Sequence, residues 1–162
     1  MGFVTDKDVE YMQLALAQAR LAPARGEVPI AAVLVREGQV LAQVHNFREA
    51  WQDPTAHAEI VAIREAATQL GTWRLTDTTL YVTVEPCSMC AGAIIQSRIS
   101  RLLFGASDPK AGACGSVFNL PEEPRLNHRV EVIGGVLERE CQELMQIFFR
   151  RLRDDVGERA PT

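Results

Sequence analysis

The sequence predicts a three-layer α/β/α domain built on one mixed five-stranded sheet. Three observations carry this expectation. Five short apolar or β-branched runs alternate with longer stretches of helical periodicity, and a tight turn joins the first two runs. Roughly 25 residues separate the fourth run from the fifth, enough for a crossover between parallel strands. The 162 residues fall within the size of one domain able to bury its own core, so residues 1–162 are expected to form a single unit.

Thr5 stands where an N-cap hydroxyl is favoured, with Asp8 completing a weaker capping box. Val9, Met12, Leu16 and Ala19 share one stripe, so a first helix is expected to about residue 22. Residues 29–35 are apolar, too short for a core helix and bounded by turn residues, which makes them a buried strand. Glu37 and Gly38 turn the chain into residues 40–44, giving an antiparallel hairpin. Ile60, Ile63, Ala67 and Leu70 keep helical spacing over residues 57–70, and Gly71 occupies the favoured C-terminal capping place.

Residues 79–84 form a β-branched and aromatic strand that runs directly into Pro86 and an Ala/Ile-rich helix ending near Ser97. Residues 101–105 and 130–133 complete the strands. An amphipathic helix from 137 to about 153, with a short polar tail after it, closes the chain.

Composition narrows the function classes. Hydrophobic residues make up 47% and charged residues 23%, which separates the chain from disordered and fibrous classes. The net charge of -4 excludes a molecule-wide basic field for non-specific binding to a polyanion, so any nucleic-acid contact must be local. The first residues carry no basic segment followed by an apolar stretch, and no apolar run reaches membrane-spanning length; a cytoplasmic protein is expected.

Cys87 and Cys90, three residues apart at a helix start, share a face where the helix dipole lowers thiol pKa. Both can present thiolates to one metal. A closed structural zinc site normally shows two such pairs, but here only Cys114, Cys141, His45 and His128 remain beside them and His57. His57, opening the second helix, can supply a third ligand and leave one position for water, as a catalytic zinc requires. Glu59 lies about 200° from His57 around an ideal helix, so the two would not bind one ion from mid-helix. At the first turn Glu59 can instead face the water and move its proton. A redox dithiol and a purely structural zinc are the alternative readings of the cysteine pair.

The pattern His57-Ala58-Glu59 followed by Pro86-Cys87-Ser88-Met89-Cys90 resembles the signature of zinc nucleobase deaminases. The stretches Asp53 to Ile60 and Glu85 to Ile94 are similar to the bacterial tRNA-specific adenosine deaminases. So are Ser97-Arg98-Ile99, Phe104-Gly105-Ala106, Asp108-Pro109-Lys110, Gly112 to Ser116 and Asn127 to Glu131, and the likeness extends over nearly the whole chain. It implies a cytidine-deaminase-like fold and hydrolysis of adenosine to inosine at the wobble position of a tRNA anticodon. It also implies a homodimer with one zinc ion per subunit. His57, Cys87 and Cys90 would then be the zinc ligands and Glu59 the proton shuttle, with Asn46 contacting the target base. Cys114 departs from the small residue often found in the family's Gly-rich loop, and the Arg-rich tail ends early in Asp154-Asp155.

An anticodon loop suits a pocketed site because its bases are already unstacked. Ala58, Asp108, Lys110, Phe149, Arg150 and Arg153 are the further substrate-side candidates, Asp108 and Asn46 also being readable as turn formers. Phosphate contacts could also come from Arg98, Arg101, Arg125, Arg129 and Arg151. His45 and His128 are expected to be structural or RNA-adjacent, and Cys114 and Cys141 to act as small apolar residues. Two rival functions share these features. One is a deaminase of a free base or nucleotide, and the other is an inactive zinc-bearing RNA-binding subunit, against which the intact Glu59 counts.

Overall fold

A computed structural model describes residues 2–158. The elements are α1 (Asp6–Leu21), β1 (Ala31–Arg36), β2 (Gln39–His45), α2 (Arg48–Trp51), α3 (Ala58–Leu70), β3 (Thr78–Val84), α4 (Ser88–Gln96), β4 (Arg101–Ala106), β5 (Glu131–Ile133) and α5 (Glu138–Glu158). The five strands form one sheet in the order β2-β1-β3-β4-β5. β1 pairs antiparallel with β2 and β3, whereas β3, β4 and β5 run parallel. The mixed sheet and the parallel crossover into β5 are those expected from the sequence.

Period-two alternation sorts the strand side chains onto two faces. Leu80, Val82, Leu102 and Phe104 pack with Val61, Ala62 and Ala66 of α3 and Ile94 of α4. Tyr81, Leu103, Val33 and Val35 face the other way, onto Met12, Ala15 and Leu16 of α1 and Cys141 of α5. These are the three layers. Gly105 lets α5 approach the sheet, since a Cβ there would stand 2.3 Å from Cys141 Sγ.

Local chemistry sets the element ends. Thr5 and Asp8 form the capping box, the hydroxyl accepting from Asp8 N–H and the carboxylate from Thr5 N–H. Gly71 caps α3 in the left-handed conformation at φ 68°.

Two features depart from the sequence reading. The short helix α2 was not anticipated, because four residues carry no periodicity; the buried Glu27 carboxylate holds its start by accepting from Glu49 N–H and Ala50 N–H. The closing helix begins at Glu138 and continues to Glu158 rather than ending near 153. No proline interrupts it, and Asp154 and Asp155 follow Arg150 and Arg151 at the four-residue spacing where opposite charges support a helix.

Candidate metal centre and substrate pocket

The site forms at the carboxyl ends of parallel strands, where open α/β sheets place their ligands. β3 delivers Glu85, Pro86 and Cys87 there, while the segment after β4 brings Asp108. His57 is the N-cap of α3 and Cys87 the N-cap of α4, both with extended backbone (ψ 152° and 177°). Extended geometry at His57 frees it from the helical spacing, so it and Glu59 can serve one centre from the same turn.

His57 Nδ1 lies 3.4 Å from Cys90 Sγ and 3.7 Å from Cys87 Sγ. The three ligand atoms all fall within 4.8 Å of one another. Tetrahedral zinc with bonds of about 2.0–2.3 Å separates its donors by roughly 3.5 Å. One imidazole nitrogen and two sulfurs at these spacings therefore fit a zinc ion, and three protein ligands leave its fourth position open.

The three ligand groups share protons with one another. A hydrogen bond from the Cys90 thiol, helped by His57 and resisted by burial, holds the Cys87 thiol down at about 3. The same bond and burial push Cys90 up. His57 is raised, chiefly by its bond to Cys87. Glu59 is buried at 4% exposure, and burial lifts its carboxyl above the usual carboxylate range.

A cavity of about 170 Å³ opens over the ligands, lined among others by Asn46, His57, Ala58, Glu59, Cys87 and Asp108. Drug-sized pockets hold roughly 300–1,000 Å³, so this one has room for a single base rather than a whole nucleotide. Val84 and Asp108 are shared with an adjoining hollow of about 390 Å³, which also contains Lys110, Met145, Gln146 and Phe149. Those four residues are shared in turn with a groove of about 480 Å³ that adds Arg150 and Arg153. Shared lining residues thus set the three hollows side by side, as a track of neighbouring hollows between the metal ligands and the basic residues of α5.

Seven of the substrate-side candidates lie in the cavity or along this track: Asn46, Ala58 and Asp108 in the first, Lys110, Phe149, Arg150 and Arg153 in the second. Asn46 and Asp108 also form turns. Asn46 Oδ1 accepts from Arg48 N–H, and Asp108 Oδ1 accepts from Lys110 N–H and Ala111 N–H.

Other cations lie elsewhere. Arg101, at the opposite end of β4, pairs with Asp8 and Glu131. Arg151 lines a groove between α1 and α5, and Arg98 and Arg125 line a separate hollow beside Leu126. His45 is fully buried between the Asn46 carbonyl and Arg25, and His128 bonds the Ile99 carbonyl, so both are structural. Cys114 and Cys141 are buried thiols among apolar neighbours.

Sequence reasoning passed over Glu85 and Arg48, which also line the cavity. A carboxylate immediately before the Pro-Cys step was a signal for Glu85. No signal marked Arg48, which α2 brings in.

Residues 6–153 match the family model of MafB19-like deaminases. The tRNA-specific adenosine deaminase of Bacillus subtilis is 52% identical over 147 residues, covering 91% of each chain. That of Haemophilus influenzae is 47% identical over 91% of this chain and 86% of its own. A solved structure from work on A-to-I editing by tRNA:A34 deaminases superposes with a TM-score of 0.81 at 48% identity, covering 83% of this chain and 98% of that one. A guanine deaminase from Bacillus subtilis superposes at 0.62 with 27% identity, covering 93% and 95%.

Proposed function

This chain belongs to the family of tRNA-specific adenosine deaminases, and from that membership we propose that it hydrolyses adenosine to inosine at the wobble position of a tRNA anticodon. The observation that carries the reading is the buried Glu59 in a base-sized cavity beside a His/Cys/Cys cluster spaced for zinc.

His57 Nδ1 and the Cys87 and Cys90 sulfurs would hold one zinc ion per subunit, whose Lewis acidity makes water a nucleophile near neutral pH. Glu59 takes the proton of the attacking water and delivers it to the ring nitrogen beside the attacked carbon. It then takes the second proton, from the added hydroxyl, and hands it to the amine as the carbonyl forms and the C–N bond breaks, so that adenosine and water become inosine and ammonia. A carboxyl raised by burial is suited to giving as well as taking a proton.

Asn46 and Ala58 orient the base. Ala58 is the first helical residue of α3, where helix geometry leaves the backbone N–H without an intrahelical partner. The cavity admits a base only when it is out of the stack, which an anticodon loop supplies. Lys110, Arg150 and Arg153 would hold the flanking phosphates, with Phe149 offering a ring for a neighbouring base. The protein is proposed to act in the cytoplasm as a homodimer, a second copy covering apolar side chains such as Val117 and Phe118, which are 47% and 58% exposed.

The test compares a stem-loop carrying a wobble adenosine with free adenosine, adenine, guanine and cytosine. Conversion confined to the stem-loop is expected. Turnover of a free base alone would keep the mechanism and replace the substrate.

A further inference from the structure

We propose that Glu85 is a positioning residue whose carboxylate holds residues 107–116 against the cavity, so that the substrate-side wall is built before substrate arrives. Its effect on substrate rests on the tRNA-editing reading.

Glu85 follows β3 and is 3% exposed. Its backbone N–H donates to the Ala106 carbonyl, which ties the ends of β3 and β4 together. Its carboxylate then collects donors from one segment. Oε1 accepts from Asp108 N–H at 3.1 Å and from the Ser116 hydroxyl. Oε2 accepts from Cys114 N–H and Ser116 N–H, each at 3.1 Å. Gly112 lies so close that a Cβ there would stand 2.2 Å from Oε2 and 2.6 Å from the Asp108 carbonyl.

Every donor in this set points at an acceptor, and only a carboxylate can accept on both oxygens. The segment held in this way is the one that faces substrate. Asp108 and Ala111 line the cavity, and Lys110 opens the track. Glu85 also stands two residues before Cys87, and Ala113 N–H donates to the Pro86 carbonyl at 2.8 Å. One buried anion thus fixes the substrate wall relative to the metal-binding turn. All its side-chain bonds go to the segment, which makes it a positioning group and not a proton carrier.

Two variants of the zinc-loaded full chain test this from opposite sides. Glu85→Gln turns an NH₂ toward the donors, and Gly112→Ala pushes the segment off an intact carboxylate. Both are expected to accelerate hydrogen exchange at the Asp108, Cys114 and Ser116 amides. Both should raise KM for the stem-loop about tenfold, while kcat stays within about twofold and zinc content is unchanged.

Unchanged protection of the three amides in a folded Glu85→Gln variant would overturn the proposal. So would a fall in kcat at constant KM, or loss of zinc together with the fold in both variants. If Glu85→Gln alone fails to fold, Gly112→Ala decides: a raised KM with kcat kept supports the assignment, and an unchanged KM refutes it. If the wild type converts no stem-loop, the substrate reading fails, while the exchange measurement still decides whether Glu85 holds the segment.

Discussion

Replacing Glu59 by Gln removes the proton carrier and little else. The amide has nearly the volume of the carboxyl and Glu59 is not among the three metal-ligand candidates, so zinc content and melting temperature should be retained. Positioned acid–base catalysis is worth about 10²–10⁴-fold, and here one group serves water, ring nitrogen and leaving amine. Two other carboxylates line the cavity, and both are engaged by backbone N–H groups. Glu85 accepts four hydrogen bonds from residues 108–116, and Asp108 Oδ1 accepts from two backbone N–H groups of its own turn. The loss should therefore lie at the upper end, about 10⁴-fold in kcat, or roughly 5.5 kcal/mol of transition-state stabilisation. Single-turnover inosine formation in a stem-loop, at saturating zinc-loaded variant, reads this directly. A variant within tenfold of wild type would refute the assignment of Glu59.

Three further outcomes follow from the same geometry. Cys87→Ala removes one of the three ligand atoms and should lose bound zinc and thermal stability together, as read by metal analysis and calorimetry. At Asp8, burial opposes ionisation, but bonds from Tyr81, Thr5 and Arg101 outweigh it and hold the carboxyl below its ordinary value of 3.8. A depressed carboxylate stabilises the fold above that value and loses its contribution as pH falls through the lower native one. Asp8→Asn should thus cost about 2–4 kcal/mol at neutral pH in urea titrations, with the difference from wild type shrinking under acid conditions. Finally, replacing Lys110, Arg150 and Arg153 by Ala should weaken stem-loop binding and reduce the salt slope by about 0.7 per lost phosphate contact. An unchanged slope would remove α5 from the RNA track.

Elements with periodicity and caps could be read in the chain. Thr5 and Asp8 announced α1, and Gly71 announced the end of α3. The spacing ahead of residues 130–133 announced a parallel β5. The metal cluster was legible because its signature uses local offsets at two helix starts. What the chain could not display was how His57 and Glu59 reach one centre, which the extended N-cap conformation of His57 resolves.

The cations were the least legible feature. Arg101 and Arg150 look alike in sequence, yet one is engaged by Asp8 and Glu131 at the far end of β4 and the other faces the track. Only the register of β4 and the rotation of α5 separate them. α2 was hidden because four residues carry no repeat, and its start depends on Glu27, more than 20 positions upstream.

Sequencing of a reacted anticodon stem-loop, with zinc-loaded and chelator-treated protein side by side, tests most directly whether these residues deaminate a wobble adenosine with zinc. Inosine at the wobble position alone, formed only by the zinc-loaded protein, is the expected result. Inosine at other positions, equal conversion without zinc, or no conversion beside rapid turnover of a free base would contradict the account.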